Sequence, residues 1–259
     1  MKIAFFGAGR AGLSLYLFFR KKGLEVRGIY SRRGEKALED LEETDQIKIV
    51  PFESLREADV IIITVEDKSI EIIADTLVKS GIGATIGHVS GSLPSSLIKK
   101  EGRFSIHPAM SLASKEAYKN LEKAIFSIEG DERGIKVARD LVETLGVRYV
   151  EIDTENKALY HAACVIASNY LVAIELMAKT ILNNIGFDEK IAENLVLSLA
   201  EGTLLNMKRL GIKRALTGPI SRGDWDTVRK HMDELSRKNE VILKAYVALA
   251  DYLKSIVDE

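Results

Sequence analysis

Three glycines near the amino terminus have the spacing of a phosphate-binding turn. They lie in the segment Gly7-Ala8-Gly9-Arg10-Ala11-Gly12. Gly7 permits a tight turn, Gly9 lets the backbone approach a pyrophosphate, and Gly12 allows close packing of helix on strand. The phosphates would then meet the free N–H groups at the positive end of a helix. Because the pattern follows an apolar strand and opens a helix, it predicts a dinucleotide site and hydride chemistry. A glycine turn that serves packing alone is the alternative.

The residues after the second predicted strand indicate which dinucleotide is bound. An acidic residue at this position hydrogen-bonds the ribose 2′-hydroxyl of NAD and repels a 2′-phosphate. Here the chain reads Ser31-Arg32-Arg33, and the first acid, Glu35, comes later. A hydroxyl and two guanidinium groups suit a 2′-phosphate. We therefore predict NADP as the cofactor. A solvated basic turn is the alternative.

Two further loops are expected to border the nicotinamide ribose, because ligands of such sheets lie beyond the carboxyl ends of the strands. They read Thr64-Val65-Glu66-Asp67 and His88-Val89-Ser90-Gly91-Ser92. Val65, His88 and Ser90 are the predicted contacts, and His107 is a further candidate for the same crevice. A histidine at a strand end is equally well explained as a hydrogen-bonded packing residue.

A few polar residues on a mostly apolar helical stretch have the types needed for acid–base chemistry. At 100° per residue, Lys157, His161 and Ser168 fall within about 40° of one stripe, and Asn169 lies about 80° from His161. Reducing a carbonyl or an imine needs a proton near neutral pH, where an imidazole titrates unaided, so His161 is the predicted donor. Lys157 is the rival donor or binds a substrate carboxylate. A purely structural role in a buried helix interface is the alternative for His161 and Asn169.

A loop between the later helices presents two more charged candidates. The segment Leu216–Asp224 interrupts the helical pattern with two glycines and a proline, which predicts a fixed backbone. Arg222 could bind a substrate carboxylate through two parallel hydrogen bonds. Asp224 is either a further polar group of the site or the N-cap of the next helix. The four histidines lack metal-ligand spacing and no cysteine pair exists, so no metal site is predicted.

The elements that must position these residues change character near residue 152. Before it, short β-rich runs alternate with amphipathic helical stretches such as Ala11–Lys22 and Gly134–Leu145, the pattern of a parallel sheet covered on both faces. The predicted strands are Lys2–Phe6, Glu25–Tyr30, Ile47–Val50, Val60–Val65, Thr85–His88, Ala124–Ile128 and Arg148–Ile152. The pattern predicts an α/β fold, with a doubly wound Rossmann domain over residues 1–152.

From residue 153 to 259 we predict an all-helical domain for substrate binding and dimerisation. The predicted helices are Thr154–Asn184, Asp188–Arg209 and Asp224–Val257. The first is apolar nearly all round from Ala158 to Ala178, so another helix must cover it. One small helical domain offers too little surface to do so, and the pattern therefore predicts a homodimer through this domain.

The composition narrows the class of partner. The 259 residues carry a net charge of −1 with acids and bases interleaved, which gives no broad footprint for nucleic acid or an anionic membrane. The single cysteine excludes an intrachain disulfide. We find no secretion signal and expect no uninterrupted membrane-spanning run. A cytoplasmic protein with a small carboxylate substrate is the expectation.

Three motifs together resemble a known family. They are His107-Pro108, Tyr160-His161-Ala162-Ala163 with Ser168-Asn169, and Leu216-Thr217-Gly218-Pro219-Ile220-Ser221-Arg222-Gly223-Asp224. This combination resembles the Rossmann-like proteins that carry the C-terminal domain DUF2520, over essentially the whole chain. The N-terminal half is also similar to the 6-phosphogluconate, 3-hydroxyisobutyrate, pyrroline-5-carboxylate and ketopantoate dehydrogenases and reductases.

The resemblance implies an NADPH-dependent reductase of a small 2-oxo acid like ketopantoate. An imine reductase of the pyrroline-5-carboxylate type is a close alternative, and a non-catalytic NADP(H)-binding regulatory protein is an alternative of another class. In similar hydroxyacid dehydrogenases, a lysine and an asparagine one turn later handle the substrate oxygen. Here His161 follows Lys157 at that distance and Asn169 comes two turns further on, so the donor stays open between His161 and Lys157.

Overall fold

The computed structural model describes residues 1–39, 47–114 and 117–257. The chain forms two compact units, Met1–Asn169 and Tyr170–Glu259, which are described separately below. The division between them lies one helix after the last strand. The predicted domain boundary at residue 152 coincides with the end of that strand and stays a prediction.

The first unit is built on a seven-stranded sheet. Its strands are β1 (Lys2–Phe6), β2 (Glu25–Tyr30), β3 (Val60–Ile63), β4 (Thr85–His88), β5 (Phe104–Pro108), β6 (Ile125–Gly130) and β7 (Arg148–Glu151). They are ordered β2-β1-β3-β4-β5-β6-β7. All neighbouring pairs are parallel except β5 and β6. The carboxyl ends of β1, β3, β4 and β5 therefore share one edge, which is where a ligand of such a sheet binds.

Helices cover both faces of this sheet, as the alternating pattern predicts. They are α1 (Arg10–Lys21), α2 (Asp67–Lys79) and α3 (Glu132–Leu145), and a further helix, α4 (Lys157–Ala167), follows β7. Along β3, Val60 and Ile62 join the core cluster that contains residues of α1 and α3, whereas Ile61 and Ile63 join the cluster that contains residues of α2. Side chains alternate across a strand, so a run of four aliphatic residues fills two cores. The predicted doubly wound α/β fold is confirmed.

The sheet differs from the prediction in two places. The predicted strand Ile47–Val50 is wrong, because this segment makes only an isolated bridge between Ile29 and Ile49. β5 was not predicted, and its antiparallel pairing with β6 makes the sheet mixed. The run Phe104-Ser105-Ile106-His107 alternates apolar with polar residues, which is typical of a strand, but its shortness and the proline that follows weaken the signal.

Two of the three predicted later helices are divided in the structure, whereas the predicted helix Asp188–Arg209 is confirmed to within one residue at each end. The later helices are α5 (Asn169–Asn184), α6 (Glu189–Leu210), α7 (Trp225–Lys238) and α8 (Glu240–Val257). The predicted helix Thr154–Asn184 is broken at Ser168, whose φ of −121° and ψ of −66° leave the helical range. The predicted helix Asp224–Val257 is broken at Asn239, which is extended and whose Oδ1 accepts a hydrogen bond from the Ile242 N–H at 3.0 Å. Asn239 thus caps α8.

One helical run in the described ranges is long and apolar enough to cross a membrane by length and composition alone, namely Thr154–Asn184. The sequence analysis expected no such run. None of its most apolar 18-residue window is buried within the chain. Core helices of proteins outside membranes meet the same criteria, and what covers this surface is taken up below.

Candidate active site

The glycine turn lies at the carboxyl end of β1, as predicted. Gly7 has φ +116°, a conformation that L side chains rarely adopt. A Cβ on Gly12 would overlap the Gly7 carbonyl oxygen, whereas a Cβ on Gly9 would meet nothing within 4 Å. Gly12 therefore serves helix packing, and the space in front of Gly9 is open. No side chain caps the amino end of α1, so its first N–H groups are available to a pyrophosphate.

The loop after β3 holds this turn in place. The Thr64 hydroxyl donates to the Gly7 carbonyl at 2.6 Å, and the Thr64 N–H donates to the Phe6 carbonyl at 2.9 Å. A Cβ on Gly7 would lie 2.8 Å from the Val65 Cγ1. Val65 is thus packed against the turn. Arg10, the first residue of α1, donates to the Ala113 carbonyl at 3.1 Å and fixes the segment that follows β5.

The two arginines predicted to bind the 2′-phosphate differ in their surroundings. The Arg33 guanidinium donates to the Lys36 carbonyl at 2.9 Å, and the Arg33 N–H donates to the Ser31 hydroxyl at 3.2 Å. Arg32 is exposed at the end of β2, and the residues described around it leave its guanidinium without a hydrogen bond or ion pair. Arg32 is consequently the more available of the two for a phosphate.

The loop after β4 is tied to the start of α2. The Ser90 and Ser92 hydroxyls donate to Asp67 Oδ2 at 2.8 and 2.9 Å. His88 is 0% exposed, and its Nδ1 accepts a hydrogen bond from the Ser90 N–H at 3.2 Å. Burial, followed by the charge of Lys157, lowers the pKa of His88 to about 4. In this conformation His88 is a neutral packing group that shapes the loop, which is the alternative that the sequence left open.

His107, Tyr160 and His161 meet around Gly91. His107 is the penultimate residue of β5, and its Nδ1 lies 3.0 Å from the Tyr160 hydroxyl on α4. The rings of His107 and His161 have centroids 6.2 Å apart. A Cβ on Gly91 would lie 2.9 Å from both His107 Nε2 and His161 Cδ2. Glycine at position 91 therefore leaves room for two imidazoles at the edge of the sheet that carries the glycine turn.

The electrostatics assign protonation states to this cluster. Burial lowers the pKa of His107 to about 4, and the neighbouring His161 and Lys157 act in the same direction. Burial also raises the pKa of Tyr160 to about 12. His107 is thus a neutral imidazole beside a protonated phenol at neutral pH. When the Tyr160 hydroxyl donates to Nδ1, the ring proton of His107 is on Nε2, which faces Gly91; in the other tautomer Nδ1 donates to the hydroxyl oxygen.

Lys157 is not in the position that a free proton donor would take. Its side chain is 1% exposed, and its ammonium group contacts the Ser105 hydroxyl at 2.7 Å, the Ser90 carbonyl at 3.4 Å and the Glu129 carboxylate at 3.7 Å. Burial lowers the pKa of Lys157, and the charge of Glu129 opposes the shift. The three donors of the ammonium group already have partners within the first unit.

Of the remaining predicted residues, Asn169 ends the first unit, and Arg222 and Asp224 belong to the second. Asn169 is exposed at the start of α5. Asp224 caps α7, because its Oδ1 accepts from the Thr227 N–H at 3.1 Å and its Oδ2 from the Thr227 hydroxyl at 2.8 Å. These contacts hold the pKa of Asp224 below its usual value. Arg222 is exposed in a short 3₁₀ helix of the second unit and stays a predicted ligand of a substrate carboxylate.

The sequence analysis did not single out Glu129 or Ser105. Both are buried on adjacent strands, where they face each other in the register of β5 and β6. A signal was present in the run Ile125–Gly130, since a carboxylate inside a short apolar strand needs a buried partner. The identity of that partner depends on strand register, which the sequence does not give.

Two family models match most of the chain and leave residues 87–123 between them unmatched. Residues 124–253 match the family described as a domain of unknown function, DUF2520. Residues 2–86 match the family described as NADP oxidoreductase, coenzyme F420-dependent. These matches confirm the predicted resemblance, the prediction of an oxidoreductase and the prediction of NADP as its cofactor. The chain matches no curated protein.

Solved structures resemble the chain over its full length. Protein TM1727 from Thermotoga maritima is 32% identical, with a TM-score of 0.78 and coverage of 99% of this chain and 98% of that one. A reductive aminase from Aspergillus terreus is 15% identical, with a TM-score of 0.70 and coverage of 99% and 98%. The pyrroline carboxylate reductase of Plasmodium falciparum is 13% identical, with a TM-score of 0.63 and the same coverage. The last two likenesses show the fold.

Proposed function

We propose that this chain, which belongs to the DUF2520 family, reduces a small 2-oxo acid with NADPH. The observation that carries the proposal is the meeting of His107, Tyr160 and His161 around Gly91, at the sheet edge that also bears the glycine turn. A nucleotide held at that turn and a proton source at the same edge are the two requirements of carbonyl reduction. The 2-oxo acid is chosen because of the family resemblance.

The residues of the glycine turn fit the cofactor. The open space at Gly9 and the uncapped N-terminus of α1 would hold the pyrophosphate, and Arg32 with Ser31 would hold the 2′-phosphate. When bound, the nicotinamide supplies the hydride. The loop that contains Ser90, fixed by Asp67, would shape the crevice beyond the strands.

His161 is the residue that we propose as proton donor. It is partly exposed, whereas Lys157 is buried and its ammonium group is engaged. In the tautomer with its proton on Nε2, neutral His107 is suited to donate a hydrogen bond to a carbonyl oxygen in the same space. Tyr160 would fix the tautomer of His107 through its hydroxyl. The proton of His161 would then pass to the oxygen as the carbonyl carbon accepts the hydride.

A substrate panel tests this proposal. We expect NADPH absorbance to fall with at least one small branched 2-oxo acid, and expect His161→Gln to lower kcat while the Kd for NADPH stays nearly the same. The panel also includes imines, among them pyrroline-5-carboxylate. Turnover of imines alone would favour the imine reductase over the reductase of a 2-oxo acid. Tight NADPH binding with no oxidation of NADPH by either class of compound would contradict a reductase function for these compounds.

The helical surface supports a second copy of the chain as partner. Exposed apolar side chains lie along α4, α5 and α6, among them Leu159, Ile166, Val172 and Leu199. A groove of about 590 Å³ between α5 and α6 is lined mostly by leucine and valine. Exposed apolar surface such as that along α5 and α6, within the second unit, usually marks an interface. The proposed occupant is the same surface of a second copy, because a two-fold pairing covers both faces at once.

Sedimentation tests the proposed homodimer directly. We expect the mass of two chains at micromolar concentration, and expect Val172→Glu to shift the protein toward the mass of one chain. Lys254→Glu in the second unit is a matched surface control and should leave the mass unchanged. A single-chain mass for the unmodified protein would contradict the proposal.

A further inference from the structure

A buried carboxylate joins the loop after β4 to the start of α4. Glu129 on β6 is 3% exposed. Its Oε1 accepts hydrogen bonds from the Ser95 hydroxyl at 2.7 Å and from the Thr154 hydroxyl at 2.9 Å. Its Oε2 accepts from the Ser95 N–H at 2.9 Å and lies 3.7 Å from the Lys157 ammonium group. One side chain thus contacts two segments that lie about sixty residues apart in the chain.

Lys157 completes the connection from the other side. Its ammonium group donates to the Ser105 hydroxyl at 2.7 Å and to the Ser90 carbonyl at 3.4 Å. Ser105 itself donates to the same Ser90 carbonyl at 3.2 Å. The charge pair therefore reaches Ser90 and Ser95, the two ends of the loop that contains Gly91. It also holds the first turn of α4, one turn before His161.

A buried ion pair is costly unless each charge has further hydrogen bonds. Besides their contact at 3.7 Å, the carboxylate accepts three hydrogen bonds and the ammonium group donates two, so the desolvation of both charges is well compensated. Apolar residues could fill the same volume without any such network. Hydrogen bonds are directional and apolar contacts are not. The ion pair and its hydrogen bonds therefore fix the positions of particular backbone and side-chain groups.

We propose that Glu129 is a positioning residue that holds the loop Ser90–Ser95 and the first turn of α4 as one rigid assembly. It acts through Ser95, Thr154 and Lys157 and does not itself touch the substrate. The distance between His107 on β5 and His161 on α4 depends on this assembly. The expected effect on turnover rests on the proposed function. The contacts of Glu129 with the loop and with α4 lie within the first unit and do not depend on that function.

Amide hydrogen exchange on the full chain, with and without NADPH, tests the connection. In Glu129→Gln, we expect exchange to accelerate about tenfold or more in the segments 90–98 and 154–161 together, with β1 and α1 unchanged. The Ser95 N–H is a direct reporter, because its acceptor is Glu129. Glu151→Gln on β7 is the matched control: it removes an exposed carboxylate paired with Arg139 at 2.6 Å and should change neither segment.

Steady-state kinetics separate positioning from a merely structural role. We expect Glu129→Gln to lower kcat about tenfold or more, with the KM for NADPH changed by less than roughly threefold. Glu129→Gln leaves the buried ammonium group of Lys157 without a counter-charge. If that variant does not fold, the double variant Glu129→Gln/Lys157→Met, which removes both charges, is used in its place. The double variant is expected to fold, yet to keep the fast exchange in both segments and the low kcat.

Two results would overturn the inference. Unchanged exchange in both segments, in whichever of the two variants folds, would show that the pair does not hold them. Acceleration in only one segment would show that they are not joined. Absence of turnover in the unmodified protein would contradict the proposed function and leave the exchange experiment as the deciding one for Glu129.

Discussion

The glycine turn allows a test in which two similar substitutions have different effects on stability. Gly9→Ala places a methyl group where nothing lies within 4 Å, and Gly9 already has φ −82°, which alanine adopts readily. The folded protein should be nearly as stable as before, because the reduced freedom of the unfolded chain offsets the lower preference for alanine at the N-cap of α1. The methyl group would instead occupy the space through which a pyrophosphate approaches the backbone.

The loss of affinity can be worked from the bonds at stake. One charge-assisted hydrogen bond from a backbone N–H to a phosphate contributes about 1.5–3 kcal/mol. Losing one such bond in Gly9→Ala should raise the Kd for NADPH about 10- to 150-fold. The measurement is a fluorescence titration with NADPH, combined with a thermal melt of the protein without nucleotide.

Gly12→Ala is the matched variant. Its Cβ would overlap the Gly7 carbonyl oxygen and lie 2.6 Å from the Thr64 hydroxyl oxygen. Backbone atoms cannot give way as a flexible side chain does, so we expect a loss of about 3 kcal/mol, near the upper end for overpacking. For a chain of this length that corresponds to a fall of roughly 6–12 °C in Tm.

The two variants refute different parts of the reasoning. If Gly9→Ala bound NADPH as tightly as the unmodified protein, the turn would not hold the pyrophosphate. If Gly12→Ala melted at the unmodified temperature, the close approach of α1 to the turn would not be a packing constraint. Weaker binding in Gly9→Ala together with an unchanged Tm is the predicted pattern.

Three further predictions follow from single contacts. Arg32→Ala should raise the Kd for NADPH about tenfold and leave the Kd for NADH unchanged. The effect of Arg33→Ala should be smaller, because the Arg33 guanidinium donates to a backbone carbonyl. Equal losses of affinity for both nucleotides would refute the 2′-phosphate assignment. Burial lowers the pKa of His88 and His107 from 6.5 to about 4, so the unfolded chain binds more protons than the folded chain as the pH falls from 6.5 to 4. The free energy of unfolding, measured by denaturant titration, should therefore fall over this range. A free energy of unfolding that does not change between pH 6.5 and 4 would contradict this prediction. Asp224→Ala should destabilise the protein by about 1 kcal/mol, measured in the same way, without changing the Kd for NADPH; unaltered stability would contradict the N-cap role.

The sequence was sufficient to predict the glycine turn and the elements on either side of it. The strand Lys2–Phe6, the turn and the following helix are local features, and each glycine has a conformational reason that can be read from spacing alone. The same holds for Ser31-Arg32-Arg33 as a basic turn. The sequence did not show that Arg33 is tied to a neighbouring carbonyl and Arg32 is not, because that depends on the 3₁₀ helix that follows.

The acid–base half depends on register and on helix ends, which are harder to infer. A straight helical wheel placed Lys157, His161, Ser168 and Asn169 along one wall, but the break at Ser168 ends the regular 100° rotation. Lys157 has the residue type of a catalytic group, yet Glu129, which the sequence analysis did not consider, pairs with it. The break at Asn239 was easier to predict from the sequence, because an asparagine followed by Glu240 is a common helix start.

The most direct test of the reductase proposal is transfer of deuterium from NADPH in which both hydrogens at C4 of the nicotinamide are replaced by deuterium. Incubation with a small branched 2-oxo acid should yield the 2-hydroxy acid with deuterium at C2, detected by mass spectrometry, and His161→Gln should slow its appearance. Deuterium-free product, or none from any 2-oxo acid although NADPH is bound, would contradict hydride transfer to this class of substrate.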